Sequence, residues 1–193
     1  ISTNHAKGVI NLHQDGGSSG RPPGRAAHTF PRTLISTANA SESPTALLAR
    51  REMQSWKLLQ LEPAALRQSN DFNSPMEIAA DGSFMAATLY RLAQSSGDEQ
   101  RVYAQVTNRL AKLLENVHSL WVERDEKRQV YTIYLRQTDG TVHPAKDLSD
   151  GTLRFLALTI MEMDAKSSGL ICLEEPENGI DPRRIPNMLQ LLR

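Results

Sequence analysis

The run Gly169-Leu170-Ile171-Cys172-Leu173, followed at once by Glu174-Glu175-Pro176, limits the fold more than any other stretch of the chain. A short apolar run without alternation suits a central parallel strand covered on both faces. Parallel strands require long crossover connections, usually helical, so the chain is expected to be an α/β protein. Acids just past the end of such a strand fall at the carboxyl edge of the sheet, where α/β proteins bind ligands. Cys172 lies inside the run, and a buried structural thiol is expected there. It is the only cysteine, which excludes an internal disulfide and is compatible with a reducing, cytoplasmic setting.

Upstream, Lys146-Asp147-Leu148-Ser149 ends irregular structure, and Asp150 to Met163 has the period of a helix. Leu153, Leu156, Ala157 and Ile160 form its expected buried stripe. Helix starts present free N–H donors and the positive end of the macrodipole, which suits a phosphate. Ser149 adds a hydroxyl, and Gly151 would let a phosphate approach the backbone with no Cβ in the way. An ordinary serine N-cap with no ligand would have the same local pattern.

The preceding residues mix strands, turns and helices. Gly8 to His13 alternates as a strand would, and Thr33 to Thr37 is a second expected strand. Between them, Asp15 to Arg25 is rich in Gly, Ser and Pro and is expected to be a mobile loop. Ser43-Pro44 starts a helix ending near Trp56. Leu58 to Leu61 is a short strand, and Gln68 to Ala80 an irregular crossing. Asp81-Gly82-Ser83 is expected to cap a helix running to about Gln94, and a longer helix spans roughly Glu99 to Val117. Leu120–Glu123 and Gln129–Leu135 flank the charged turn 125–128, and Asp139-Gly140 makes a second turn, so a β-meander is expected. The segments group as strands and a Gly/Pro loop over 1–42, a helical insertion and meander over 43–145, and the C-terminal segments over 146–193.

Charge and composition narrow the function classes. Lys and Arg number 22, as do Asp and Glu, so nothing global favours a polyanionic partner. No stretch approaches the roughly 18 apolar residues of a membrane helix, and no membrane partner is expected. The five histidines are scattered, and no HExxH, cysteine pair or Ser-His-Asp context appears. The first residue is Ile1 rather than Met and Arg193 lies in the middle of an amphipathic pattern, so the chain is expected to be part of a longer protein.

Leu148-Ser149-Asp150-Gly151-Thr152 resembles the Leu-Ser-Gly-Gly-Gln signature loop of ABC-type ATPases, departing at Asp150 and Thr152. Glu174-Glu175-Pro176-Glu177-Asn178-Gly179-Ile180-Asp181-Pro182 is similar, without a gap, to the end of the Walker B strand and D-loop of that class. With Leu-Arg-Phe-Leu-Ala-Leu following the signature, the chain resembles the RecF/SMC/OLD-like branch of AAA ATPases rather than a transporter subunit. The resemblance implies an ABC-type P-loop ATPase head, of which this chain is the C-terminal part, with a helical signature subdomain and an antiparallel β portion. It implies ATP and Mg²⁺ as cofactors: Glu174 on the metal, Glu175 polarising the attacking water, and Leu148, Ser149, Asp150, Gly151, Thr152 and Asp181 at the nucleotide. Glu174 stands where the family has Asp, one methylene shorter, and Asp150 would repel phosphate unless it turns outward or caps the helix. The resemblance also implies a homodimer closed around two nucleotides, with Ser149 and Gly151 acting in trans and Asp181 touching the partner. DNA and a nuclease domain are further implied partners, in DNA repair, chromosome maintenance or phage defence. No G-x-x-x-x-G-K-[ST] phosphate loop occurs in these residues, so this polypeptide alone is expected to be inactive. The alternative is a non-catalytic dimerisation or interaction module derived from such a head.

Overall fold

The computed structural model describes residues 2–11, 24–29, 32–40, 43–167 and 169–191. They form two compact units, Ile1–Trp56 and Lys57–Arg193.

In the first unit, β1 (Ser2–Asn4), β2 (Val9–Asn11) and β3 (Gly24–Ala26) make an antiparallel sheet in that order. β2 is the described part of the alternating strand. The Gly/Pro loop lies outside the described residues, except that Gly24 and Arg25 open β3. Thr33 to Thr37 is not a strand: Leu34–Thr37 is a 3-10 turn. The Ser36 and Thr37 hydroxyls donate to the carbonyls of Thr33 and Leu34 at 2.7 and 3.0 Å, local bonds that compete with a strand ladder. Helix α1 (Pro44–Ser55) begins where Ser43 Oγ accepts from the Ala46 N–H at 3.4 Å. Its small core is Leu34, Ala38 and Ala46, with Ile10 packed against them.

The second unit is mixed α/β. Its elements are β4 (Lys57–Leu59), α2 (Pro63–Leu66), β5 (Asn70–Asp71), α3 (Met85–Ser96), α4 (Glu99–Leu113), β6 (Val117–Asp125), β7 (Val130–Gln137), β8 (Val142–Pro144), α5 (Asp150–Met163), β9 (Ile171–Leu173) and α6 (Ile185–Leu191). β4 and β9 pair in parallel, Leu59 opposite Leu173. The expected meander is present: β6, β7 and β8 are successive antiparallel neighbours, and β5 adds to the other end of β7. Leu120, Val122, Tyr131, Ile133 and Leu135 alternate onto one buried face. Val102, Val106, Leu110 and Leu113 of α4 are buried in the same core.

Two expectations fail here. β9 is neither a central strand nor a buried one: among the described residues its one strand neighbour is β4, Leu170 is 48 % exposed, and Cys172 is exposed rather than buried. Asp81 and Ser83 do not cap α3, because Asp81 accepts from the Ser83 N–H and hydroxyl at 2.9 and 2.8 Å in a closed local turn. The N-cap is Phe84, in left-handed backbone at φ +69° and with no capping side chain. Asn70 does that work from β5: its Oδ1 accepts from the Ala87 N–H at 3.0 Å.

Helix α5 occupies the centre. Every residue from Leu153 to Met161 is buried, a wider surface than a four-residue stripe, because α2, α3, α4 and α6 all pack around it. Its C-terminal end is tied by Asp164, 5 % exposed, which pairs with Arg91 of α3 at 2.5 Å. No described helix is long and apolar enough to cross a membrane.

Candidate nucleotide site

Two local structures converge at one edge of the parallel pair. The ladder runs one residue past β9, where the Glu174 N–H donates to the Leu59 carbonyl at 3.0 Å. Glu175 then turns the chain in left-handed backbone, φ +43°, uncommon for a residue with a side chain. A turn follows, closed by the Asn178 N–H on the Glu175 carbonyl and the Ile180 N–H on the Glu177 carbonyl, both at 3.0 Å. Asn178 Nδ2 also donates to Glu175 Oε2 at 3.4 Å. Neither Glu174 nor Glu175 takes part in an ion pair with a described residue.

The start of α5 lies beside this turn. Ser149 is its N-cap: Oγ accepts from the Thr152 N–H at 3.3 Å and shares a hydrogen bond with Thr152 Oγ1 at 2.8 Å. A Cβ built on Gly151 would stand 2.8 Å from the Gly179 carbonyl oxygen, and one on Gly179 would stand 3.2 Å from Asp150 Cβ. The close approach of helix and turn therefore consists of two glycines in contact. Gly151 is buried, and protein packing uses its missing Cβ.

Asp150 forms an ion pair with Arg67, so its charge is matched without a ligand. Arg67 also donates to the Pro63 and Leu148 carbonyls at 3.0 and 3.1 Å, fastening α2 to the segment before α5. An acid in the first turn is further favoured by the helix dipole.

One cleft of about 500 Å³ collects Gln60, Glu62, Asp150, Arg154, Glu174, Glu175, Asn178 and Gly179 among its walls. The structure thus brings Asp150, Glu174 and Glu175 together. Exposed Ser149, with Thr152 and buried Leu148, lines a separate hollow of about 210 Å³ that also holds His143 and Arg184. Asp181 lines a third, of about 350 Å³, with Lys112 and Arg183. Asp181 caps the 3-10 turn Pro182–Arg184. Hydrogen bonds from the Arg183 guanidinium, then from its backbone N–H, lower its carboxyl to about 2.

Arg154 is not marked as a site residue by the sequence motifs. It is 7 % exposed, lines the carboxylate cleft, and its Nε is buried without a hydrogen-bond partner. The available signal was a single cation inside an apolar run, one helical turn beyond Asp150 on the same face. Among the described residues, no cluster of three His, Cys, Asp or Glu is placed to hold a metal ion.

A parallel pair ending in acids, a capped helix start at its edge and an antiparallel addition define part of a P-loop ATPase-like α/β fold. Residues 19–193 match the family described as "AAA domain, putative AbiEii toxin, Type IV TA system", and the chain belongs to that family. No curated protein and no solved structure is significantly similar to it.

Proposed function

We propose that the chain carries the signature and Walker B portion of an ATP-binding, ATP-hydrolysing head of the ABC type, in the RecF/SMC/OLD-like branch. The observation supporting this is the single cleft in which the start of the signature helix meets the two carboxylates at the strand end. The residues suit the cofactors: Glu174 and Glu175 offer hard oxygens, and Arg154 has an orphaned donor for an anion. Mg²⁺ is commonly held by one or two carboxylates plus phosphate oxygens and water, so a three-ligand protein cluster is not required. Bound as Mg²⁺·ATP, the pair would supply a transferable phosphoryl group with part of its charge neutralised.

In this reading Glu174 holds the metal and Glu175 orients water and accepts its proton. Asn178 steadies the Glu175 carboxylate. Ser149 faces a hollow apart from the carboxylates, which agrees with action on the nucleotide of a second copy, and Asp181 joins the two sites across a homodimer. The phosphate loop would come from outside these residues. DNA repair, chromosome maintenance or phage defence, with DNA or a nuclease domain as partner, follows from family analogy.

In the full-length protein, Glu175→Gln should keep ATP binding and lower turnover on the order of 10²-fold or more. Steady-state phosphate release measures this, and unchanged turnover removes Glu175 from the catalytic role. A second reading, a non-catalytic dimerisation module derived from such a head, draws on the departures at Asp150, Thr152 and Glu174 from the residues usual in the class. It requires that the wild-type protein release no phosphate at all.

A further inference from the structure

Arg154 is out of place as a purely structural residue. It sits on the most buried helix of the unit, between Leu153 and Phe155, with its Nε cut off from solvent and unpaired. Among the described residues it forms no ion pair. A buried donor without an acceptor is costly. Asp150, one turn earlier, offers no compensation, because Arg67 already pairs with it. A guanidinium presents planar N–H donors matched to phosphate oxygens, and hydrogen bonds to an anion are among the strong ones.

The remaining charges in the cleft restrict the anion. Glu62, Glu174 and Glu175 line the same walls, and Arg154 is the only cation among the lining residues. A bare phosphate would meet more negative than positive charge there. A phosphate that brings a divalent cation would meet both signs in matching places: metal to carboxylates, oxygen to guanidinium. We propose that Arg154 is a phosphate-binding residue acting within its own chain, taking a nucleotide polyphosphate oxygen as the metal complex and not as the free anion. This deepens the nucleotide reading above and rests on it. It also gives the signature helix a role toward the carboxylates of its own chain, separate from that of Ser149.

The test is binding and thermal stability of the full-length protein, wild type against Arg154→Met and Arg154→Lys, with ATP in Mg²⁺, ATP in EDTA, and Mg²⁺·tripolyphosphate as probes. Arg154→Met should leave the ligand-free melting temperature unchanged or higher, since it removes an unpaired buried donor while keeping volume. Its affinity for Mg²⁺·ATP and Mg²⁺·tripolyphosphate should fall roughly ten- to hundredfold, the range of one charged hydrogen bond. Arg154→Lys keeps a charge but loses the planar donor, and should weaken binding at least about fivefold. The wild type should bind far more weakly in EDTA. Wild-type affinity for Mg²⁺·ATP in Arg154→Met overturns the inference and leaves the nucleotide reading standing. Should Arg154→Met fail to fold, undiminished affinity in Arg154→Lys overturns it equally. A wild type that binds no Mg²⁺·ATP removes the nucleotide reading and this inference together.

Discussion

Asp181 and Arg183 show how far two residues can set a local property on their own. The Arg183 Nε and Nη2 donate to the Asp181 carboxylate at 3.1 and 2.6 Å, and its backbone N–H adds a third bond at 3.0 Å. These bonds favour the ionised form, so the folded carboxyl titrates at about 2 against an ordinary 3.8. A folded pKa below the unfolded one adds stability above pH 3.8, and that contribution fades as pH falls toward 2. In Arg183→Gln, the Asp181 titration followed by carboxyl NMR should move up toward 3.8. A midpoint that stays near 2 would assign the shift to the backbone N–H alone. This feature is legible in the sequence, since partners two residues apart share one turn. Asn70 is the opposite case. It is 5 % exposed and caps α3 across a gap of seventeen residues, so no local pattern marks it.

Between elements, the decisive contact is that of α5 with the turn after β9. Gly151 meets Gly179 so closely that a methyl group at 151 would lie 2.8 Å from a carbonyl oxygen, shorter than real Cβ contacts. Backbone cannot yield there as a flexible side-chain tip would. Gly151→Ala should therefore cost about 1–3 kcal/mol in the ligand-free protein, the usual range for overpacking. Urea denaturation measures it, and an unchanged midpoint would show that the turn moves aside freely. The glycine was visible in the sequence as part of a signature-like loop. Its packing partner was not, because the Gly179 turn reaches it only through the β4–β9 pairing. The strand expected at Thr33–Thr37 fails for a local reason: a five-residue run is weak evidence when two hydroxyls can close a 3-10 turn.

Across residues 57–193, α5 organises the whole. Four helices pack on it, and its first turn carries the cleft while its last is tied to α3. Phe155, 1 % exposed, is among the largest fully buried side chains. Phe155→Ala should lower unfolding stability by about 3–5 kcal/mol, transfer and cavity effects together. Loss of less than about 1 kcal/mol by urea denaturation, against that range, would mean the core closes over the gap.

The helices α1, α4 and α5, the N-caps Ser43 and Ser149, and the β6–β7 hairpin were determined by the sequence itself. The helix hydrogen bonds and caps close within a few residues, and the hairpin pairs two strands that are neighbours in sequence. Tertiary structure alone decided that Arg67 would match Asp150, that Cys172 would stay exposed, and that Arg154 would be buried in the wall of the cleft that Glu174 and Glu175 also line. Those outcomes depend on which distant segments share an edge of the parallel pair. Burial and pairing across such distances follow from chain topology, which local periodicity does not encode.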